Sequence, residues 1–139
     1  MIVLLRKLIF ICCLVQMGCE FEPGKDISDW NGTNEEFLLS FDQRNSEEIN
    51  GTSLLVDKKS GMPFTGEVSR KEDTRETHQT FKSGLLNGKS VKKSSDGSWV
   101  EANYLNGRLH GNMTFFDSNG KVRSIMTYEE GKRVISRVD

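Results

Sequence analysis

Two histidines are the side chains of this 139-residue chain best suited to general acid–base chemistry. They are His78 and His110, and each would need a nucleophile, an acid or a metal ligand beside it to act in catalysis. His110 occupies the position of a periodic pattern that Asn87 and Thr65 occupy in the earlier copies. A position that accepts Thr, Asn and His is typical of a turn or an exposed strand. His78 lies in a polar segment, and two histidines with no cysteine nearby do not predict a zinc site.

The carboxylates are spread along the chain and form no evident catalytic pair. Asp96 and Asp117 each precede a glycine-containing turn, where an Asp side chain bonds its own backbone. The segment 117–120 has oxygen ligands suited to calcium, but too few for a calcium loop. The glycine-rich stretch 105–111 is not followed by Lys-Ser or Lys-Thr, so it does not predict a phosphate-binding loop. We therefore predict no catalytic residue, no metal site and no cofactor.

Residues 1–18 have the layout of an export signal. Arg6 and Lys7 precede an apolar run from Leu8 to Val15, far shorter than the roughly 20 residues that span a bilayer. The segment ends in LVQMGC, which resembles the lipobox of bacterial lipoproteins, whose cysteine becomes the lipidated first residue of the mature chain. This resemblance implies a lipid on Cys19 and an exported protein anchored to the inner or outer membrane of the cell envelope. Secretion with cleavage nearby and an uncleaved anchor remain the alternatives.

The composition of the chain bounds its other properties. Two of its three cysteines lie inside the signal, so only Cys19 would remain after cleavage and we predict no internal disulfide in the mature chain. A net charge of −1 with interspersed charges gives no field that would attract nucleic acid. Residues 19–49 are acidic and lack a sustained period, so we predict a tether there, in which Phe37–Phe41 could dock as a strand or a helical turn. A repeat domain then occupies residues 50–139.

A unit of about 23 residues recurs through this domain, and such a period indicates a repeat protein. Phe81 recurs as Tyr104 and then as Tyr128, the second interval being one position longer than the first, and Asp96-Gly97 recurs as Asn119-Gly120. The glycines recur in step, and we predict that they mark turns: Gly61, Gly66, Gly84, Gly88, Gly97, Gly107, Gly111, Gly120 and Gly131. About three copies are present, with a fourth just begun.

Each unit predicts two short strands and two turns. Asp-Gly and Asn-Gly favour tight hairpin turns, and the segments between them are rich in Val, Thr and aromatic residues. In the segment 99–104, Val100, Ala102 and Tyr104 alternate with Trp99, Glu101 and Asn103. The longer interval before Tyr128 predicts a β-bulge between residues 120 and 128. The predicted fold is all-β, an elongated antiparallel meander forming a single-layer twisted sheet.

The pattern of Tyr104–Gly120, with the lead-in Leu54–Val68, resembles the bacterial variant of the MORN repeat. The resemblance covers about residues 50–135. It implies successive antiparallel hairpins. Bacterial proteins with these repeats are often named antitoxins of the YwqK family, so the resemblance also implies an antitoxin role. It implies no mechanism beyond that label.

Aromatic residues are the remaining functional candidates. We list as candidate partner-binding aromatics Phe81, Trp99, Tyr104, Phe115, Phe116 and Tyr128, with a purely structural role in the core as the alternative. An extended repeat surface suits protein recognition better than enclosure of a small substrate. We therefore predict a non-enzymatic protein-binding or scaffold module at the cell envelope. The alternative is an antitoxin or immunity-type protein that binds and neutralises a toxin.

Overall fold

The computed structural model of the protein describes residues 28–46 and 52–135. The predicted signal peptide, residues 1–18, and the predicted lipidation site, Cys19, lie outside the described residues. Ten strands and one short helix make up this part of the chain. They are β1 (Trp30–Thr33), α1 (Asn34–Ser40), β2 (Phe41–Ser46), β3 (Thr52–Asp57), β4 (Gly66–Glu72), β5 (Arg75–Lys82), β6 (Leu85–Lys93), β7 (Trp99–Leu105), β8 (Arg108–Phe116), β9 (Val122–Glu129) and β10 (Lys132–Val134).

The main sheet is an open array of eight strands in the order β1-β4-β5-β6-β7-β8-β9-β10. From β4 to β10 each strand pairs antiparallel with the next, as expected for successive hairpins. The exception is β1, which pairs parallel with β4 at one edge. A separate hairpin joins β2 to β3. The predicted all-β fold is confirmed as a mostly-β fold with one short helix, whereas a purely antiparallel, single-layer meander is not.

The turns of the sheet fall into two groups. At one end of the strands, three two-residue turns have a positive φ at both positions: Ser83-Gly84, Asn106-Gly107 and Glu130-Gly131. The glycine N–H groups of these turns donate to the carbonyls of Phe64, Leu86 and Leu109, respectively, and so tie each hairpin to the preceding one. At the opposite end of the strands, Gly97 and Gly120 lie in wider turns. The N–H of Ser94 donates to the carbonyl of Ser98 in the first, and the N–H of Asp117 donates to the carbonyl of Lys121 in the second.

Three of the predicted turn glycines lie in strands instead. Gly66 begins β4, Gly88 lies in β6 and Gly111 lies in β8. The register of β6 on β5 shifts beside Gly88, and that of β8 on β7 shifts beside Gly111. These two glycines therefore belong to bulges, where a positive φ is required without a change of chain direction. Gly61 follows the β3–β4 turn as predicted, with its N–H donating to Asp57.

A predicted bulge is confirmed in β9. Phe115 pairs with Ser124 and Phe116 pairs with Val122, which leaves Arg123 as an extra residue on β9. The longer repeat interval in the sequence is the origin of this residue.

The core lies at the N-terminal end of the sheet. Its buried side chains are Phe37, Phe41, Leu55, Phe64, Val68 and Phe81, with Trp30 and Leu86 packed against them. We call β1, α1, β2 and β3 the cap: β1 extends the sheet at this end, and α1, β2 and β3 pack over it. The predicted tether, 19–49, is therefore wrong over residues 30–46. Phe37 and Phe41 pack edge-on against Trp30, at ring-centroid distances of 5.7 and 5.6 Å, so this acidic segment is part of the fold.

Candidate binding site

The two faces of the sheet differ in what covers them. The cap packs on the face that carries Val68 and Phe81, and we call this the covered face. In register with Val68, it continues through Gln79, Ser90, Ala102, Met113 and Met126. The opposite, outer face carries Ser69, His78, Val91, Glu101, Thr114 and Ile125 in one row.

The candidate aromatics divide between the core, the covered face and the outer face. Phe81 is only 7% exposed and belongs to the core, so the prediction that it binds a partner is wrong and the alternative, a structural role in the core, holds. Tyr104, Phe115 and Tyr128 lie on the covered face beyond the cap, where they are half-buried. Burial raises the pKa of the Tyr104 hydroxyl. Phe115 and Phe116 point to opposite faces because side chains alternate along a strand.

Trp99 and Phe116 form a stacked pair on the outer face. They are register partners on β7 and β8, with ring centroids 4.7 Å apart and planes 10° apart. The Trp99 indole Nε1 donates to Oε1 of Glu101 at 3.3 Å. Lys89 lies 2.7 Å from Oε2 of Glu101, and this pairing holds the pKa of Glu101 below its ordinary value. The Trp99 ring of the stack is thus held by Glu101, which in turn pairs with Lys89 on the neighbouring strand β6.

A shallow cleft of about 310 Å³ lies beside this stack, between the two wide turns 94–98 and 117–121. Its apolar floor is formed by Trp99 and Phe116 of the outer face, and the lining also includes Val100 and Phe115, whose side chains point to the covered face. Its polar walls are formed by Ser94, Asp96, Ser98, Asp117, Ser118 and Arg123. We call it the turn cleft. Arg123 is the extra residue of the β9 bulge, so the irregularity in the repeat supplies the guanidinium of the cleft.

The two carboxylates of the turn cleft are held by their own turns. Oδ1 of Asp96 accepts from the backbone N–H and the hydroxyl of Ser98, at 3.0 and 2.6 Å. Oδ1 of Asp117 accepts from the backbone N–H groups of Asn119 and Lys121. Ser98 holds the pKa of Asp96 below its ordinary value, and the charge of Arg123 adds to this effect. These are the Asx turns predicted from the sequence, but their place beside an aromatic stack was not foreseen.

The histidines occupy positions that offer little to catalysis. His78 Nδ1 lies 2.8 Å from the hydroxyl of Ser69, on the outer face. Both residues belong to interior strands, whose backbone N–H groups bond to neighbouring strands and do not form an oxyanion hole. His110 is exposed in β8, beside the bulge glycine Gly111. Within residues 28–46 and 52–135, no group of three or more His, Cys, Asp or Glu side chains is arranged to hold a metal ion.

The C-terminal end of the sheet exposes apolar side chains. Val122, Ile125, Val134 and Ile135 are 45–78% exposed, and all four lie in β9, in β10 or directly after it. Val134 pairs with Thr127, two residues from Ile125, so Ile125 and Val134 share the outer face. We call the three that share the outer face, Val122, Ile125 and Val134, the open-end patch. No signal in the sequence predicts it, because single apolar residues in a strand are the normal pattern.

No helix in the described part of the chain is long and apolar enough to cross a membrane. In comparisons with protein-family models, with curated proteins and with solved structures, no match to this chain reaches significance.

Proposed function

We propose that this protein is a non-catalytic binding or scaffold module of about three MORN-like hairpin repeats. In this proposal it is exported, anchored at the cell envelope by a lipid on Cys19, and bound to a protein partner. The observation that carries the binding role is the difference between the two ends of the sheet. One end is closed by the aromatic cap, and the other ends in the open-end patch.

This difference favours a docking role because a repeat array needs a cap at each end to cover its apolar residues. The N-terminal cap uses three aromatic rings, Trp30, Phe37 and Phe41, for this purpose. At the other end, Ile125 is 56% exposed and Val134, on the same face of the neighbouring strand, is 45% exposed. Exposed apolar residues that lie together indicate an interaction site more than scattered ones do. A protein partner would cover the apolar side chains that the described residues leave exposed at this end.

Either role predicted from the sequence, scaffold or antitoxin, is a form of protein recognition. Both would use the same end of the sheet. The scaffold role is preferred because the antitoxin role rests on the family resemblance alone.

The docking role is tested by purifying the full chain from envelope membranes with its partner attached. Ile125→Asp places a charge in the open-end patch, so we expect the co-purified partner to be lost. Leu39→Asp is the matched control, because Leu39 is 76% exposed on α1, in the cap. Circular dichroism checks that both variants remain folded. Equal loss of the partner in both variants, or retention in Ile125→Asp, would contradict the proposal.

The lipid anchor has its own test. Metabolic labelling with palmitate should mark the wild-type chain and leave Cys19→Ala unmarked. An unlabelled wild-type chain would end the lipoprotein hypothesis without affecting the docking hypothesis.

A further inference from the structure

The stacked aromatic pair is not required by the repeat fold. One repeat period further along the chain, the position of Trp99 corresponds to Val122. One period earlier, the position of Phe116 corresponds to Lys93. One period before Trp99 stands Glu76, and Glu76 pairs with Lys93 across β5 and β6 as Trp99 pairs with Phe116 across β7 and β8. The sheet accepts a lysine or an exposed valine there, and packing does not explain a Trp–Phe stack.

A second departure from the repeat lies at the same place. The bulge that places Arg123 in the wall of the turn cleft is the one extra residue of the longer repeat interval. Bulges commonly re-aim a side chain beside a functional site. Two independent irregularities, the aromatic pair and the inserted arginine, therefore converge on one cleft.

The lining of the cleft combines an apolar floor with walls that both donate and accept hydrogen bonds. The turn bonds engage Oδ1 of Asp96 and of Asp117, and from the described residues no hydrogen bond reaches either Oδ2. Arg123 offers donors, and the hydroxyls of Ser94 and Ser118 offer both functions. The carboxylates are fixed on hairpin turns, which lowers the entropy cost of binding a ligand.

The charges of the cleft point to a neutral ligand. The charge of Arg123 partly cancels that of Asp96, and Oδ1 of Asp117 is already engaged by two backbone N–H groups, so the cleft exerts little net field on a charged molecule. A sugar ring has an apolar C–H face, which is attracted to the negative face of an aromatic ring. Its hydroxyls match walls that contain donors and acceptors together. A volume of about 310 Å³ is at the lower end of the range of ligand sites, which suits one or two sugar rings.

We propose that the turn cleft is a binding site for a neutral saccharide, separate from the docking role of the open-end patch. The aromatic floor contacts the apolar face of the sugar. Asp96, Asp117 and Arg123 bond its hydroxyls.

The test is calorimetric titration of the full chain with three neutral disaccharides: cellobiose, maltose and the β-1,4-linked dimer of N-acetylglucosamine. At least one should bind saturably, with a dissociation constant below about 10 mM. Phe116→Ala and Arg123→Gln should each weaken that binding at least about tenfold. Arg123→Gln tests the site even where Phe116→Ala fails to fold, because Arg123 is exposed.

Arg133→Gln is the control, since Arg133 is an exposed arginine outside the cleft lining, and it should bind the sugar as the wild type does. Amide shifts in nuclear magnetic resonance should concentrate in the turns 94–98 and 117–121. Three outcomes would overturn the proposal: no saturable binding to any disaccharide, binding unchanged in both cleft variants, or binding of free amino acids in place of sugars.

Discussion

Single glycines in the turns meet two requirements at once. Gly107 has a φ of +79°, a region where an L side chain is strained. A Cβ there would also collide with the methyl group of Thr52, where β3 of the cap passes the turn. Gly61 has a similar φ of +71°, but a Cβ on it would have no atom within 4 Å. A comparison of substitutions at Gly107 and Gly61 therefore separates the cost of backbone strain from the cost of a steric collision.

We expect Gly107→Ala to lower the free energy of unfolding by about 2–3 kcal/mol, because strain and collision act together. Gly61→Ala should cost about 1 kcal/mol, from backbone strain alone. Urea denaturation of both variants measures the difference. Equal losses would mean that the structure relieves the collision with Thr52 at no cost in stability.

At the scale of the element, α1 depends on its contacts. It has seven residues, too few for an isolated helix to be stable in water. Its start is fixed by a capping box, in which Thr33 accepts from the N–H of Glu36 and Glu36 accepts from the N–H of Thr33. Phe37 is its one buried residue, and the guanidinium carbon of Arg70 lies 4.2 Å from the centre of that ring.

Phe37→Ala should therefore lower the free energy of unfolding by about 3–5 kcal/mol, through loss of buried area and the cavity left behind. Leu39→Ala, in the same helix but 76% exposed, should change it by less than about 0.5 kcal/mol. Denaturant titration followed by far-ultraviolet circular dichroism compares the two. A similar effect of both substitutions would show that α1 does not anchor the cap.

The elements of the sheet could be predicted from the sequence better than the cap. Asn106-Gly107 and the longer interval before Tyr128 are local signals, since turn chemistry and spacing do not depend on distant residues. The cap was taken for a tether because its apolar residues are few and its acidic residues many. Its local signals were the apolar run Phe37–Phe41 and Thr33 followed at the third position by Glu36, which is the pattern of a capping box. The turn cleft joins Trp99 to Arg123 across three strands, and no local pattern reports such a contact.

At the scale of the molecule, stability should not be uniform along the sheet. The buried apolar side chains lie mainly in the cap and in β4 and β5, with Val68 fully buried. Every residue of β10 is exposed, and β9 has only two residues that are not. An open sheet that is covered at one end gains its burial there, and its other end relies on hydrogen bonds to a single neighbour.

Native-state hydrogen exchange should reveal this gradient. We expect the amides of β9 and β10 to exchange at least about a hundredfold faster than those of β5, a difference of about 2.8 kcal/mol in opening free energy. The amides of β5 should exchange only through global unfolding, because Phe81 joins that strand to the core. Phe37→Ala supplies the control, since loss of a core ring should speed exchange in β5 while leaving β10 nearly unchanged. Uniform protection from β4 to β10 would mean that the sheet opens as one unit and that the open end is as stable as the capped one.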